Sequence, residues 1–238
     1  HRLIQTHWKA GITMMRRILI ISGVLISSTA YGAGLSTVGS SAVSMGKAGA
    51  SSADASDPAA AYSNPAASAA KEGFRTSLGF IGIQPSMKAT SVNAEYSSQN
   101  SFAAPPHLHA SYAFEHGGAG ISLTVPFASS AAWDPNWEYR FDVGSSALTV
   151  FRVAPFLSGK YESVSVAAGP LLDWGSFDLS KALNFIEDEG RVDIQTTGKG
   201  FGFHGALYWQ TNAQLAFGLR YKSQVNLPFT GYATFENP

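Results

Sequence analysis

The chain has 238 residues, with 16 basic and 16 acidic side chains, no cysteine, 24 glycines and aromatics at 12%. Zero formal net charge gives no electrostatic footprint for nucleic acid, and the missing cysteines exclude a disulfide framework or a thiolate metal site. Charged residues make up only 13% of the chain, about half the share of a soluble domain, and with so many aromatics and glycines this suits a barrel whose outside faces lipid.

Residues 1–13 contain no Met and precede Met14 and Met15. From Met15 the chain reads Arg16-Arg17, an apolar run from Ile18 to Ile26, then Ser27-Ser28-Thr29-Ala30-Tyr31-Gly32-Ala33. A basic start, a short apolar core and small residues before a cut are the parts of a secretory signal peptide. The apolar run is far shorter than the roughly 20 residues a spanning helix needs. Residues 1–13 are therefore expected to be an upstream non-native extension, 14–32 a signal peptide, and the mature chain begins near Ala33.

Residues 33–72 are rich in Ala, Ser and Gly. Composition alone allows a flexible linker. Asp57-Pro58 instead offers a helix start, with Asp as cap and Pro at the first helical position. Asn64-Pro65 then stops that helix. Short helices of small residues suit packing inside a narrow space.

From Gly73 the pattern changes to period two, which predicts strands with one apolar and one polar face. Leu108, Ala110, Tyr112 and Phe114 oppose His107, His109 and Ser111, and Ile121, Leu123, Val125 and Phe127 alternate with Ser122 and Thr124. Val164, Val166, Ala168, Leu172 and Trp174 oppose Ser163, Ser165 and Asp173, while Ala213, Leu215, Phe217, Leu219 and Tyr221 alternate with Asn212, Gln214, Arg220 and Lys222. Less regular strands are predicted at 74–84, 147–159, 199–210 and 227–235. Several have about the 10 residues a tilted membrane-spanning strand needs. Tight turns are expected at Gly159-Lys160 and Gln210-Thr211-Asn212, with a long connection from Gly175 to Gly198. Aromatics near strand ends (Tyr112, Phe114, Trp174, Tyr208, Trp209, Tyr221) match interface girdles. The signal peptide, the girdles and the short and long turns favour a transmembrane antiparallel β-barrel over a soluble sandwich. Residues 73–238 are expected to form the N-terminal part of that barrel, because the chain stops in the run-out of a strand.

Three stretches in residues 33–72 then carry a resemblance: Gly46-Lys47-Ala48-Gly49-Ala50, Asp54-Ala55-Ser56-Asp57 and Tyr62-Ser63-Asn64-Pro65-Ala66. They resemble the N-terminal hatch of the FadL/TodX family of outer-membrane transporters of long-chain fatty acids and aromatic hydrocarbons. Gly200 to Tyr208, followed by Leu219 to Val225, is similar to the family's mid-barrel hairpin. The resemblance implies a barrel of roughly 14 strands plugged by a hatch, of which this chain covers the hatch and about the first seven or eight strands. It implies passive uptake of hydrophobic small molecules, with Asp57, Asn64, Pro65 and Ala66 in the gating hatch. In the family, a kink in the third strand opens a lateral route. Pro126 and Phe127 stand at that place here, and proline lacks the ladder donor. An amphipathic loop helix carrying Phe177, Leu179, Leu183, Phe185 and Ile186 is expected to meet the ligand, although helices of this kind also simply pack on a barrel mouth.

Arg152, Arg191 and Lys199 are candidates, on charge alone, for a carboxylate partner. The expected partners are a hydrophobic small molecule, outer-membrane lipid and lipopolysaccharide, and the protein is expected to be monomeric. No cofactor, metal or catalytic residue is expected. Gly200, Gly202 and Gly205 fit a dinucleotide pattern by letter but lie in a strand. His107 and His109 have a spacing that can bind zinc, with His116 past a turn, yet read more simply as lumen-facing polar residues. A structural or adhesive outer-membrane barrel stays open as an alternative. A barrel enzyme such as a lipase has no nucleophile elbow to support it.

Overall fold

The alternation of the sequence produces a sheet that is inside-out relative to a soluble protein. In the computed structural model, which describes residues 36, 37, 39, 41–92, 94–185 and 188–236, the apolar faces of the strands lie outward. Leu78 is 78% exposed and Leu157 72%, whereas His109 and Asp173 are buried at 0% and 1%. Phe74, Phe80, Tyr112, Phe114, Phe201 and Leu219 are exposed with them, and Ser111, Ser122, Arg152 and His204 are buried. Water would not support this arrangement, since exposing so much contiguous apolar surface costs free energy. A lipid exterior does support it. No helix of the described residues is long and apolar enough to cross a membrane, which leaves crossing by strands open. The expected extension and signal peptide, residues 1–32, lie outside the described residues.

Among the described residues, ten strands follow a small-residue segment. These are β1 (Gly73–Phe80), β2 (Lys88–Thr90), β3 (Glu95–Ser97), β4 (Pro106–Phe114), β5 (Gly117–Ala131), β6 (Ser145–Tyr161), β7 (Val164–Asn184), β8 (Glu189–Gln210), β9 (Ala216–Lys222) and β10 (Phe229–Glu236). The main sheet is antiparallel in the order β1-β4-β5-β6-β7-β8, with β9 and β10 both paired to β8; β2 and β3 form a separate hairpin. β9 pairs along 204–210 of β8 and β10 along 191–198, so the two act as one interrupted strand. This run of neighbours joined by hairpins is the up-and-down order of a membrane barrel wall.

The Gly175–Gly198 segment departs from expectation. Its described residues form no loop helix: β7 and β8 run on as a ladder from Val164↔Trp209 to Asn184↔Glu189. Phe185 and Asp188 close the hairpin through a 2.9 Å backbone bond. Phe177, Leu179, Leu183 and Phe185 therefore recur at period two, in phase with the inward-facing Leu171 and Asp173, and not at helical spacing. Ile186 lies outside the described residues. The pattern misleads because short apolar runs satisfy both periods, and here cross-strand pairing decided the outcome. The tight turn expected at Gly159-Lys160 also lies further on, where Glu162 takes φ 50° between β6 and β7.

The small-residue segment lies on the inner face of the sheet. Its helices are α1 (Ala42–Gly46) and α2 (Ala60–Ser63), followed by a 3-10 turn at Ala67–Ala70. Ser41 caps α1, accepting from Ser44 N at 3.0 Å. Asp57 organises the turn into α2: it accepts from Ala59 N at 2.9 Å and from Ser41 Oγ at 2.7 Å. Asn64 ends that helix, and its Oδ1 accepts from Ala66 N at 3.1 Å. Ala55, Ala60, Ala61, Ala66 and Ala67 form one buried cluster with Phe156, Ala167 and Tyr208 of the wall. Side chains this small let backbone approach backbone, and a Cβ on Gly218 would strike the Ser52 carbonyl.

Candidate functional site

Two features define the site: a break in the wall and a plug seated beside it. The break is at Pro126. The β5–β6 ladder pairs Thr124 with Arg152 and Phe127 with Val150, so Val125 and Pro126 together oppose Phe151. This two-on-one count is a β-bulge, which bends a strand and interrupts its pairing. On the other side, the β4–β5 ladder stops at Leu108↔Leu123. The freed carbonyls of β5 are taken by the N-terminal segment. Thr37 N donates to Pro126 O at 3.0 Å and Thr37 Oγ1 to Val125 O at 2.6 Å. Ser36 makes an antiparallel bridge to Phe127. Pro126 and Phe127, read from the sequence as the weak point, thus lie where the wall is patched by another part of the chain.

The plug is clamped from three strands. Arg75 of β1 donates to Ala55 O at 2.8 Å and also to the Ser68 carbonyl. Asn64 Nδ2 donates to Leu207 O of β8 at 3.0 Å and to Ser52 O at 2.7 Å. Arg220 of β9 donates to the Tyr62 carbonyl. Contacts to both β1 and β9 require the sheet to curl around the plug. Of the sequence-predicted hatch residues, Asn64 joins plug to wall directly, Asp57 organises the plug internally, and Pro65 and Ala66 are buried within it.

The charges of the inner face were only partly legible. Arg152 is buried but fully occupied: its Nε and Nη2 meet the Asp173 carboxylate at 2.7 and 2.6 Å, directly across the β6–β7 ladder. Such a bidentate pair satisfies both partners and leaves little for a ligand. Arg191 lies near the β7–β8 turn with Asp193 and Ser180. Lys199 is exposed opposite the outward-facing Trp174. None of the three is a free cation of the inner face. Among the described residues Arg220 and Lys222 make no ion pair; Arg220 is bonded to the Tyr62 carbonyl, and Lys222 Nζ lies 4.7 Å and Arg220 Cζ 5.0 Å from the Tyr62 ring centroid. The signal for them was present, since both occupy the polar face of the strand around Leu219 and Tyr221. Their position beneath the plug was not.

His107 and His109 stack at 5.4 Å on the inner face, and His109 Nδ1 lies 2.9 Å from Ser122 Oγ. His116 is exposed beside Glu115 at the β4–β5 turn. The plug carries its own ion pair, Lys47 with Asp54. Burial pulls the Asp54 carboxyl upward. Hydrogen bonds from Lys47 and Ser56, with the Lys47 charge, outweigh that and hold it at about 2, below its ordinary 3.8. At the far end, the 132–144 connection stacks Trp133 on Trp137 at 4.6 Å. Arg140 of this connection reaches Glu189 at 3.0 Å, and a cleft of about 460 Å³ lies between it and the β7–β8 turn.

A sheet with an apolar exterior, a polar interior and a small-residue plug defines a plugged outer-membrane β-barrel protein. The family profile described as "Outer membrane protein transport protein (OMPP1/FadL/TodX)" matches residues 23–238, and the chain belongs to that family. Solved structures agree on the fold. A Pseudomonas aeruginosa FadL homologue superposes with TM-score 0.68 at 16% identity, over 85% of this chain and 55% of its own. The Ralstonia pickettii toluene transporter TbuX gives 0.65 at 20%, over 79% and 58%. The Pseudomonas putida toluene transporter TodX gives 0.60 at 16%, over 75% and 57%. The chain thus spans between 55% and 58% of the length of these three structures. No curated protein matches it.

Proposed function

We propose that the whole protein admits hydrophobic small molecules, long-chain fatty acids or hydrocarbons, passively through the outer membrane, with residues 33–72 as the gate. The observation that carries this reading is the seating of Thr37 on the broken part of β5. Two hydrogen bonds and one bridge close the gap, and all involve a segment outside the regular ladder. Such a patch detaches at far lower cost than a strand drawn from a ladder. A side opening in a lipid-surrounded wall suits cargo that partitions into membrane, and Phe127 and Val125 supply an apolar rim. Phe177, Leu179 and Leu183 continue along β7 in phase with Asp173, which supports reading them, as strand residues, as lining for the ligand. Two relatives are described as toluene transporters, which is consistent with apolar cargo.

The test is initial uptake of a labelled long-chain fatty acid and of labelled toluene by cells carrying the full-length gene. Uptake of at least one should exceed that of an empty-vector strain. Equal rates, with the protein confirmed in the outer membrane, would defeat the proposal.

A further inference from the structure

The outward face of the long strands is layered in register. Phe151, Trp174 and Lys199 stand side by side across β6, β7 and β8. One step nearer the long connections, Thr149, Ser176, Thr197 and Thr230 form a row of four hydroxyls across β6, β7, β8 and β10. One step the other way the row is Val153, Leu172 and Phe201. From there to the short turns, the outward positions of β6, β7 and β8 hold apolar residues, aromatics and glycine. The face thus passes from apolar to hydroxyl within two strand steps, about 14 Å, and Lys199 stands between them. This marks the edge of the hydrocarbon. The long connections 81–105 and 132–144 lie at the hydroxyl end and the short turns at the other, so this edge is the external one.

A cation at such an edge does not stay among apolar neighbours. Its stem lies along them while the ammonium reaches the polar side, which here is the hydroxyl row. Among the described residues, neither the Lys199 ammonium nor any of the four hydroxyls has an ionic or hydrogen-bonding partner. An open groove of about 650 Å³ runs along both rows. Its floor is aromatic, its upper rim carries hydroxyls, and its charge is positive. That combination complements an amphiphile with a phosphorylated sugar head.

We propose that this outer face binds lipid A, the phosphorylated disaccharide anchor of lipopolysaccharide, with a phosphate on Lys199. The ammonium donates to the phosphate, and such charge-assisted bonds are about twice as strong as neutral ones. The four hydroxyls span three strand spacings, roughly 14 Å. That width suits two sugar rings and exceeds a single phosphodiester, which favours a glycolipid over a phospholipid. The acyl chains run down the Val153, Leu172 and Phe201 row. The site lies on the outside of the wall and is independent of what passes through the barrel.

The experiment uses the full-length protein in detergent and reads retained lipid by native mass spectrometry. The probes are lipid A with both phosphates, lipid A with its phosphates removed, and phosphatidylglycerol as competitor. Wild type should retain lipid A, bind the dephosphorylated form roughly tenfold more weakly, and keep its lipid A against an equal concentration of phosphatidylglycerol. Lys199→Met should weaken binding of lipid A roughly tenfold, as expected for losing one charge-assisted contact. Trp174→Ala should weaken it several-fold. Lys199→Arg should restore binding, and Lys160→Met, in phase with the inner face at the other end of β6, should match wild type. Assembly of each variant is checked by heat-modifiable gel mobility. No retained lipid A on wild type, or an equal Kd for assembled Lys199→Met, overturns the site. Equal binding of the dephosphorylated lipid, a test that needs no variant, overturns the phosphate contact. Displacement by an equal concentration of phosphatidylglycerol overturns the assignment to lipid A.

Discussion

At the scale of residues, the inner face divides its charges into one pair that holds the wall and one that does not. Arg152 and Asp173 are both nearly sealed from solvent, at 6% and 0% side-chain exposure. Asp173→Asn leaves a buried guanidinium without its counter-charge and should destabilise the wall by about 3–5 kcal/mol. Replacing both residues with apolar ones of similar volume should recover most of that loss, as read from the midpoint of urea unfolding in lipid vesicles. The plug's own ion pair gives a different test. The folded-state acidity of Asp54, about 2, lies below its ordinary 3.8. Its contribution to seating the plug is therefore fully present above 3.8 and is lost as pH falls through about 2. Single-channel current through the full-length protein should grow noisier over that window, and Asp54→Asn should show the noise already at neutral pH. A quiet Asp54→Asn channel would mean the pair does not seat the plug. Single residues were legible in the sequence where local chemistry fixes them. Asn64 is visible as the helix stop because its side chain bonds backbone two residues away, whereas Asp57, expected as the cap, bonds Ala59 N in the turn before the helix, whose N-cap is Ala59. Tyr62, Arg220 and Thr37 were hidden because their partners lie 158 positions off for Arg220 and 88 for Thr37.

At the scale of elements, alternation identified the strands because the period-two signal is the same whether the apolar face meets lipid or a core. Which face points out was decided by the membrane. The strand ends were less legible, since extension of a ladder depends on the neighbour. β7 and β8 run for 21 and 22 residues, well past the last regular alternation, because each supplies the other's backbone partners. The plug shows the reverse dependence. Its sequence alone allows a linker, and it becomes ordered against the wall, where glycine admits its backbone. Gly218→Leu should therefore dislodge it, because any side chain there meets the Ser52 carbonyl. The expected result is a folded barrel, heat-modifiable as wild type, with raised conductance. Asn64→Ala with Pro65→Ala removes the bond to Leu207 O and the helix stop. It should alter uptake without altering barrel assembly, and loss of assembly would mean that the motif serves the wall and not the gate.

At the scale of the whole molecule, the N-terminal segment completes the wall's own pairing at the break in β5. Pro126 withholds a ladder donor, the bulge bends the strand, and the chain's own N-terminal segment makes up the missing pairing. The account's central claim is that this patch must come away for cargo to pass. These 238 residues contain no cysteine, and any cysteine of the full-length protein outside them is replaced by serine so that one engineered pair is unambiguous. Ser36 and Phe127 are directly opposed in an antiparallel bridge, a pairing that places Cα atoms about 4.5–5.5 Å apart, within the range of a disulfide. Ser36→Cys with Phe127→Cys in the full-length protein should form a bond across the patch. Uptake of a labelled long-chain fatty acid should stop in the oxidised state and return on reduction. Equal uptake in the two states, with the disulfide confirmed, would contradict the claim that cargo leaves through this break.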